Sequence, residues 1–222
     1  MLFRSDAAFA QFKAAGVPDL VLDLRYNGGG LVSVGATLAS YIAGTRGAGQ
    51  TYAALRYNDK RAAAQNSSFR FSNPTQALGL ARVYLLTGPR TCSASEQLIN
   101  GLRGVGVQVI SVGADTCGKP VGSLPASLCG TTYSAVHFES VNARNEGRYF
   151  DGFAPTCAVA EDYSRALGAL DDPLLVAAAH HIDQGACPAT AEGRAQPLAW
   201  RERSAERRRG IALDEREGLL PR

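Results

Sequence analysis

Long hydrophobic runs are missing from this chain of 222 residues. No stretch approaches the roughly 20 apolar residues that a membrane-spanning helix needs, and residues 1–6 lack the basic start and apolar centre of a signal peptide. Charge of one sign is also scarce, because the formal net charge is only +3 and the basic residues are spread over most of the length. We therefore expect no membrane-spanning segment and no nucleic-acid surface.

Several common signatures of chemistry are absent as well. The sequence has no H-E-x-x-H zinc helix, no G-x-x-x-x-G-K-[ST] phosphate loop and no G-x-S-x-G elbow. Its five cysteines include no C-x-x-C pair, which argues against zinc or redox chemistry, but their number favours an oxidising compartment. We expect neither a metal nor an organic cofactor.

What the chain does contain is a repeated pattern of buried strand, polar loop and helix. The predicted strands are residues 20–24, 81–86 and 107–112, and the predicted helices are residues 7–15, 31–43, 95–102 and 172–182. This alternation predicts an α/β domain with a mostly parallel sheet, whose site lies at the loops that follow the strands.

Three other segments complete the predicted organisation. The polar and aromatic residues 44–73 suit a loop and a short hairpin better than core, and residues 131–141 alternate like one half-buried strand. From residue 188 the composition shifts to Arg, Glu, Ala and Gly, which predicts a solvated extension with at most a short helix at residues 200–209. We therefore expect a core at residues 1–187 and an extension at residues 188–222.

Three loops that follow predicted strands carry the candidate chemistry: residues 27–30, 92–96 and 116–119. Consecutive glycines offer unobstructed N–H groups, and a helix start directs further N–H donors outward, so converging loops of this kind can hold an oxyanion. Each feature also has a structural alternative: a tight turn for the glycines, a capping box for Ser93 and Glu96, and a surface turn for Lys119.

Lys119 is one of only three lysines in the chain and lies in a Gly-Lys-Pro turn. A lysine can take a proton from a serine hydroxyl when burial disfavours its ammonium form, so Ser93 and Lys119 could form a catalytic dyad. Cys92 could be a thiol nucleophile, but the three loops contain no histidine. We interpret Cys92 as a small buried neighbour.

Taken together, residues 23–30 (DLRYNGGG), 93–96 (SASE) and 116–119 (TCGK) resemble the three signature blocks of the C-terminal processing (tail-specific) proteases. Those blocks are D-L-R-x-N-x-G-G, S-A-S-E and T-x-G-K, and the resemblance runs from about residue 16 to about residue 182. It implies a Clp-protease/crotonase-like α/β spiral and a serine endopeptidase that acts near the C-termini of protein or peptide substrates. It also implies a periplasmic or other extracytoplasmic location.

The resemblance assigns roles to individual residues. Ser93 would be the nucleophile and Lys119 its general base, while Ala94 and either Gly29 or Gly30 would supply the N–H groups of the oxyanion hole. Three further residues match family positions that support the site: Arg25, Glu96 and Thr116.

The sequence also departs from the family pattern. Ser123 stands where many members have a glutamine that assists the lysine, and Gly28 stands where the family usually has proline. The family usually carries an N-terminal helical segment and a PDZ domain that captures the substrate tail, and this sequence starts at the protease core. Because of Ser123, we expect a catalytic dyad and not a triad. Because the sequence starts at the protease core, we expect a catalytic core that is truncated at its N-terminus.

Local spacing predicts two disulfides. Cys117 would pair with Cys129 and tie the lysine turn to the next strand, and Cys157 would pair with Cys187 across the last helix. This pairing leaves Cys92 unpaired.

Two other functions stay open at this point. Retinoid-carrying modules resemble this fold and act as ligand carriers, and a catalytically silent core could bind partners only. The presence of both Ser93 and Lys119 within their motifs favours the enzyme.

Overall fold

The computed structural model describes residues 2–189, without the side chains of residues 2–4. The predicted short helix at residues 200–209 and nearly all of the predicted extension lie outside the described residues. The helices are α1 (Leu2–Ala14), α2 (Val32–Ala43), α3 (Asp59–Gln65), α4 (Ala94–Gly104) and α5 (Pro173–Gln184). The strands are β1 (Val21–Asp23), β2 (Thr51–Tyr57), β3 (Ser67–Arg70), β4 (Arg82–Thr87), β5 (Gln108–Gly113), β6 (Val121–Ser123), β7 (Ala126–Leu128), β8 (Thr131–Tyr133), β9 (Val136–Val141) and β10 (Cys157–Ala158).

A parallel sheet in the order β1-β4-β5-β10 forms the centre of the molecule. Its register aligns Asp23 of β1 with Leu86 of β4, and Leu86 with Val112 of β5. The three strands therefore end at the same edge of the sheet, and the loops that follow them leave side by side. The predicted α/β class with a parallel sheet is confirmed.

Strand β4 shows why this sheet is covered on both faces. Val83 and Leu85 belong to an apolar cluster with residues of α2 and α4, whereas Tyr84 and Leu86 belong to a second cluster with α5. Successive side chains of a strand point to opposite faces, and all four are buried. A continuous apolar run is typical of a parallel strand between two helical layers.

A second sheet is antiparallel and has the order β3-β2-β9-β6. The predicted hairpin in residues 44–73 corresponds to the pairing of β2 with β3, with α3 between them. Its placement outside the core is wrong, because Tyr52 and Phe71 are buried and their rings pack edge to face with centroids 5.5 Å apart. Polar neighbours in the sequence concealed this burial.

Residues 131–141 also differ from the prediction. They form two strands, β8 and β9, and not one. β8 pairs with β7 in a separate two-stranded hairpin, whereas β9 pairs with β2 and β6. Alternation of side chains continued across the break, so the periodicity alone did not reveal it.

Helix α5 closes the outer face of the parallel sheet. Asp172 precedes it with φ −63° and ψ 122°, and its carboxylate accepts the N–H of Leu174 at 2.9 Å, which is the usual geometry of an N-cap. A disulfide between Cys157 and Cys187 joins β10 to the segment that follows α5, as predicted. Within the described residues, none of the helices combines the length and apolar character that a bilayer span requires.

Candidate active site

The glycine loop that follows β1 is bonded directly to the start of α4. The backbone carbonyl of Asn27 accepts the N–H of Cys92 at 3.2 Å. Its side-chain Oδ1 accepts the Ser95 hydroxyl at 2.9 Å and the Gly29 N–H at 3.0 Å. Sequence reasoning assigned no role to Asn27 or Ser95, although Asn27 belongs to the first motif.

Gly29 packs closely against the start of α4. A Cβ at this position would lie 2.7 Å from the Cys92 carbonyl oxygen, 2.8 Å from the Ala94 nitrogen and 2.8 Å from the Ser93 Cβ. The φ angle of Gly29 is 100°, a conformation that residues with a Cβ rarely adopt. Only glycine therefore lets this loop pack against the peptides on either side of Ser93.

Ser93 stands at the N-cap position of α4 in an unusual conformation. Its φ is 57° and its ψ is −117°, whereas the ordinary cap Asp172 has an extended backbone. A left-handed φ costs a residue with a Cβ about 1–3 kcal/mol, and strain of this kind clusters at functional sites. A helix cap does not require this backbone conformation. The alternative interpretation of Ser93 as a capping residue therefore does not explain its φ angle.

Glu96 links the start of α4 to the lysine turn. The side chain is fully buried. Its Oε1 accepts the Thr116 hydroxyl at 2.6 Å and the Gly118 N–H at 2.7 Å, and its Oε2 accepts the Ser93 N–H at 3.0 Å and the Lys119 N–H at 2.8 Å. The backbones of Ser93 and Lys119 thus share one acceptor oxygen.

Thr116 extends this network beyond the lysine turn. While its hydroxyl donates to Glu96, its oxygen accepts the N–H of Phe153 at 2.8 Å. Thr116 is buried, so these bonds form away from solvent. It therefore holds the lysine turn between α4 and the segment that precedes β10.

The network predicts a large effect of Glu96 on stability. We expect Glu96→Ala to lower the free energy of unfolding by about 3 kcal/mol or more, because it leaves several buried donors without an acceptor. Glu96→Gln keeps one oxygen and should lose less. The matched control is Glu139→Ala, because Glu139 pairs with the exposed Arg148 and should cost less than about 1 kcal/mol. Urea unfolding measures all three, and equal losses for Glu96→Ala and Glu139→Ala would contradict this assignment.

Lys119 is brought close through its backbone, but its side chain is exposed. Among the described residues, no hydrogen bond joins the Ser93 hydroxyl to the Lys119 amine. The burial that a lysine base requires is therefore not provided by residues 2–189 in this structure.

The candidate oxyanion donors lie where the glycine loop meets α4. The N–H of Gly29 is already bonded to Asn27 Oδ1 at 3.0 Å. Within the part of the chain that the structure describes, the N–H groups of Ala94 and Gly30 have no acceptor. Of the two candidate glycines, Gly30 is therefore the one whose N–H is not already bonded within these residues.

Arg25 lies behind the glycine loop and is only 3% exposed. Its guanidinium donates to Asp23 and Asp172, each at 2.7 Å, and lies 3.5 Å from Glu161. The hydrogen bond to Asp23 raises the pKa of Arg25 further above its usual range, with a contribution from Asp172. Arg25 therefore fastens the end of β1 to the start of α5.

The disulfide at the site differs from the prediction. Cys117 pairs with Cys92, with Cα atoms 5.2 Å apart, and Cys129 is free and exposed. The pairing of Cys117 with Cys129 is wrong, as is the interpretation of Cys92 as an unpaired neighbour. Cys92 follows β4 and Cys117 follows β5, and these strands are adjacent, so the two residues meet through the sheet despite their separation of 25 residues.

Residues 4–159 of the chain match the model of peptidase family S41. The chain belongs to peptidase family S41. The family indicated by the three sequence motifs is therefore confirmed. No curated protein matches the chain.

Solved structures of S41 proteins and other peptidases share the fold. A putative S41 protease from Bacteroides fragilis has a TM-score of 0.74 and 33% sequence identity, over 82% of this chain and 49% of that protein. A photosystem II D1 C-terminal processing protease has a TM-score of 0.55 and 22% identity, over 70% of this chain and 38% of that protein. A putative peptidase from Parabacteroides merdae has a TM-score of 0.50 and 22% identity, over 80% of this chain and 55% of that protein.

The two likenesses at 22% identity show the fold alone. The chain spans about half the length of the Bacteroides fragilis protein. It spans less than half the length of the D1 processing protease.

Proposed function

We propose that this chain is the catalytic core of a serine endopeptidase that cleaves protein or peptide substrates near their C-termini through a Ser93/Lys119 dyad. Membership of family S41 supports peptidase chemistry of the serine type. The observation that carries the proposal is the strained Ser93 at the start of α4, whose N–H shares one oxygen of Glu96 with the N–H of Lys119.

The proposed reaction is acyl transfer through a covalent intermediate. The Ser93 Oγ attacks a peptide carbonyl while its proton passes to Nζ of Lys119. The N–H groups of Ala94 and Gly30 hold the negative charge that develops on the carbonyl oxygen. Lys119 then returns the proton to the departing amine. In the second half of the reaction Lys119 takes a proton from the water that attacks the acyl carbon, and it gives that proton to the Ser93 Oγ as the bond to the acyl group breaks.

The exposure of Lys119 makes the size of the substrate important for the proposed reaction. A lysine amine serves better as a base where water is excluded from it, because burial disfavours its charged form. Lys119 is exposed in this structure, and a bound peptide that covers it would exclude that water. Extended substrates should therefore react faster than small ones.

An open surface groove of about 510 Å³ adjoins the glycine loop at Asn27, on the side of β1. It is lined by Asp23, Tyr26, Asn27, Leu167 and Gly168. Asn27 connects this groove to the glycine loop, because its side chain accepts the Gly29 N–H at 3.0 Å, and we propose that the groove receives a side chain of the substrate.

The preference for C-termini and the cellular location are supported by separate observations. The preference comes from the motif resemblance, and the D1 processing protease with a similar fold is named for C-terminal processing. Two disulfides are typical of proteins outside the cytoplasm. We therefore propose a periplasmic or other extracytoplasmic location.

Pairs of matched peptides test this function. The two peptides of a pair have the same sequence, and the C-terminal carboxylate is free in one and amidated in the other. Mass spectrometry locates the cleaved bond. We expect cleavage within a few residues of the free C-terminus, and slower cleavage of the amide. A folded chain that binds the peptides without cleaving them would instead indicate the catalytically silent binding module.

The close approach of Gly29 gives a further prediction for this activity. We expect Gly29→Ala to lower the activity by about 100-fold, because the methyl group would displace the loop from Ser93 and Ala94. Gly28→Ala is the matched control, since a Cβ there meets no atom within 4 Å. Cleavage rates of one peptide compare the two variants, and equal rates would contradict the proposed role of the glycine loop.

A further inference from the structure

The disulfide between Cys92 and Cys117 joins the two segments that carry the residues on which the proposed function depends. Cys92 directly precedes Ser93, and Cys117 lies two residues before Lys119. The Cα atoms of the two cysteines are 5.2 Å apart, and both residues are half-buried. A covalent bond therefore joins the nucleophile loop to the lysine turn.

We propose that the Cys92–Cys117 disulfide positions Ser93 for reaction with Lys119, and that its reduction lowers the reactivity of Ser93. This inference rests on the proposed function and extends it from the chemistry to the control of that chemistry by thiol redox state.

Cys92 also fixes the strained serine against the glycine loop. Its N–H donates to the Asn27 carbonyl at 3.2 Å, and its carbonyl oxygen would lie 2.7 Å from a Cβ on Gly29. The peptide before Ser93 is thus held by the glycine loop on one side and, through the disulfide, by the lysine turn. Since a left-handed backbone is unfavourable for a serine, Ser93 keeps its φ of 57° only while these contacts hold it.

Without the disulfide, the two loops are joined by the carboxylate of Glu96 and by the Cys117 N–H, which donates to the Thr91 carbonyl at 3.0 Å. The Cys117 Sγ lies 3.4 Å from Glu96 Oε2, the oxygen that accepts the N–H groups of Ser93 and Lys119. A thiol is a weak donor, and a thiol formed at Cys117 would compete for that oxygen. Reduction therefore breaks the covalent link and also disturbs the carboxylate that remains.

The redox step is a two-electron exchange with a dithiol reductant. A thiolate of the reductant attacks one sulfur of the pair, and the bond between the Cys92 and Cys117 sulfurs breaks. The two protein sulfurs gain two electrons and two protons, while the reductant loses the same number and closes into its own disulfide.

The second disulfide, Cys157–Cys187, is a matched control. The paired residues are 25 apart in the sequence for Cys92–Cys117 and 30 apart for Cys157–Cys187. Loop-closure entropy depends only weakly on such a difference, so losing either disulfide should lower the thermal midpoint by a similar amount. The control pair lies outside the three loops of the candidate site.

The test uses three forms of the chain, all carrying Cys129→Ala to prevent exchange with the free thiol. The first form has no further change and is called the parent. The other two forms add the double substitutions Cys92→Ala/Cys117→Ala and Cys157→Ala/Cys187→Ala. Each is assayed oxidised and after reduction by a dithiol, for the rate of labelling of the serine by a fluorophosphonate and for kcat and KM with one peptide. Circular dichroism confirms that each form is folded at the assay temperature.

We expect the variant without Cys92 and Cys117 to label about tenfold more slowly, with a lower kcat, an unchanged KM and no further response to the dithiol. The variant without Cys157 and Cys187 should keep the oxidised rate and lose about tenfold on reduction. Reoxidation should restore that rate.

Two results would overturn the inference alone. One is equal labelling of Ser93 in the oxidised and reduced parent. The other is an equal loss in both double variants, since this would follow from stability alone. A folded parent that is never labelled at Ser93 in either redox state would overturn the proposed function itself.

Discussion

Replacing Ser93 with alanine is expected to lower kcat for peptide cleavage by about 10⁴-fold or more, because it removes the atom that forms the acyl-enzyme. The fold should be retained, since the Glu96 carboxylate accepts the backbone N–H groups of Ser93 and Lys119 and these two bonds do not involve the serine side chain. Peptide turnover with a product-specific assay measures the loss. A variant that keeps more than a small fraction of the parent kcat would contradict the assignment of Ser93.

Two controls sharpen this prediction. Ser95→Ala removes a hydroxyl that is bonded to Asn27 and should cause a smaller loss, because the nucleophile stays. Ser93→Gly should be as inactive as Ser93→Ala but more stable by about 1 kcal/mol, since glycine adopts the φ of 57° without strain. A gain in stability together with loss of turnover would show that the strain at Ser93 is kept for function.

Replacing Lys119 is expected to give the second large effect. Lys119→Met should lower kcat by about 10³-fold, within the range typical of losing a general base. Lys119→Arg should be nearly as inactive, because guanidinium keeps the positive charge but does not deprotonate in this pH range. The pH dependence separates the two roles, because a lysine that accepts the serine proton makes the parent rate depend on pH, and both variants should lose that dependence.

Lys60 provides the matched control for the lysine prediction. It is exposed on α3, outside the candidate site. Lys60→Met should leave the rate and its pH dependence unchanged. If Lys119→Arg retained the parent rate, Lys119 would act by its charge and not as a base.

The parts of the fold that were predicted are those with a strong local signal. β4 has four buried apolar residues in succession, and α5 begins with an Asp-Pro cap, so both elements were found within one or two residues. Convergence of the three loops was also predictable, because parallel strands that end at one edge bring their loops together.

The features that were missed depend on contacts distant in the sequence. The pairing of Cys92 with Cys117 is set by the adjacency of β4 and β5, not by spacing. Tyr52 is buried because it packs on Phe71 and beneath Gly101 of α4, and neither contact is visible in the polar segment that surrounds it. The left-handed backbone of Ser93 and the exposure of Lys119 likewise follow from the packing of whole loops.

The most direct test of the dyad is the site and pH dependence of labelling by a fluorophosphonate. In this reaction the serine oxygen forms a bond to phosphorus and fluoride leaves. We expect one adduct, which mass spectrometry maps to Ser93 and which is lost in Ser93→Ala. It should form faster as the pH rises between about 7 and 10, as expected when a base removes the serine proton. A folded chain that forms no adduct at any pH, or forms it on another serine, would contradict the account.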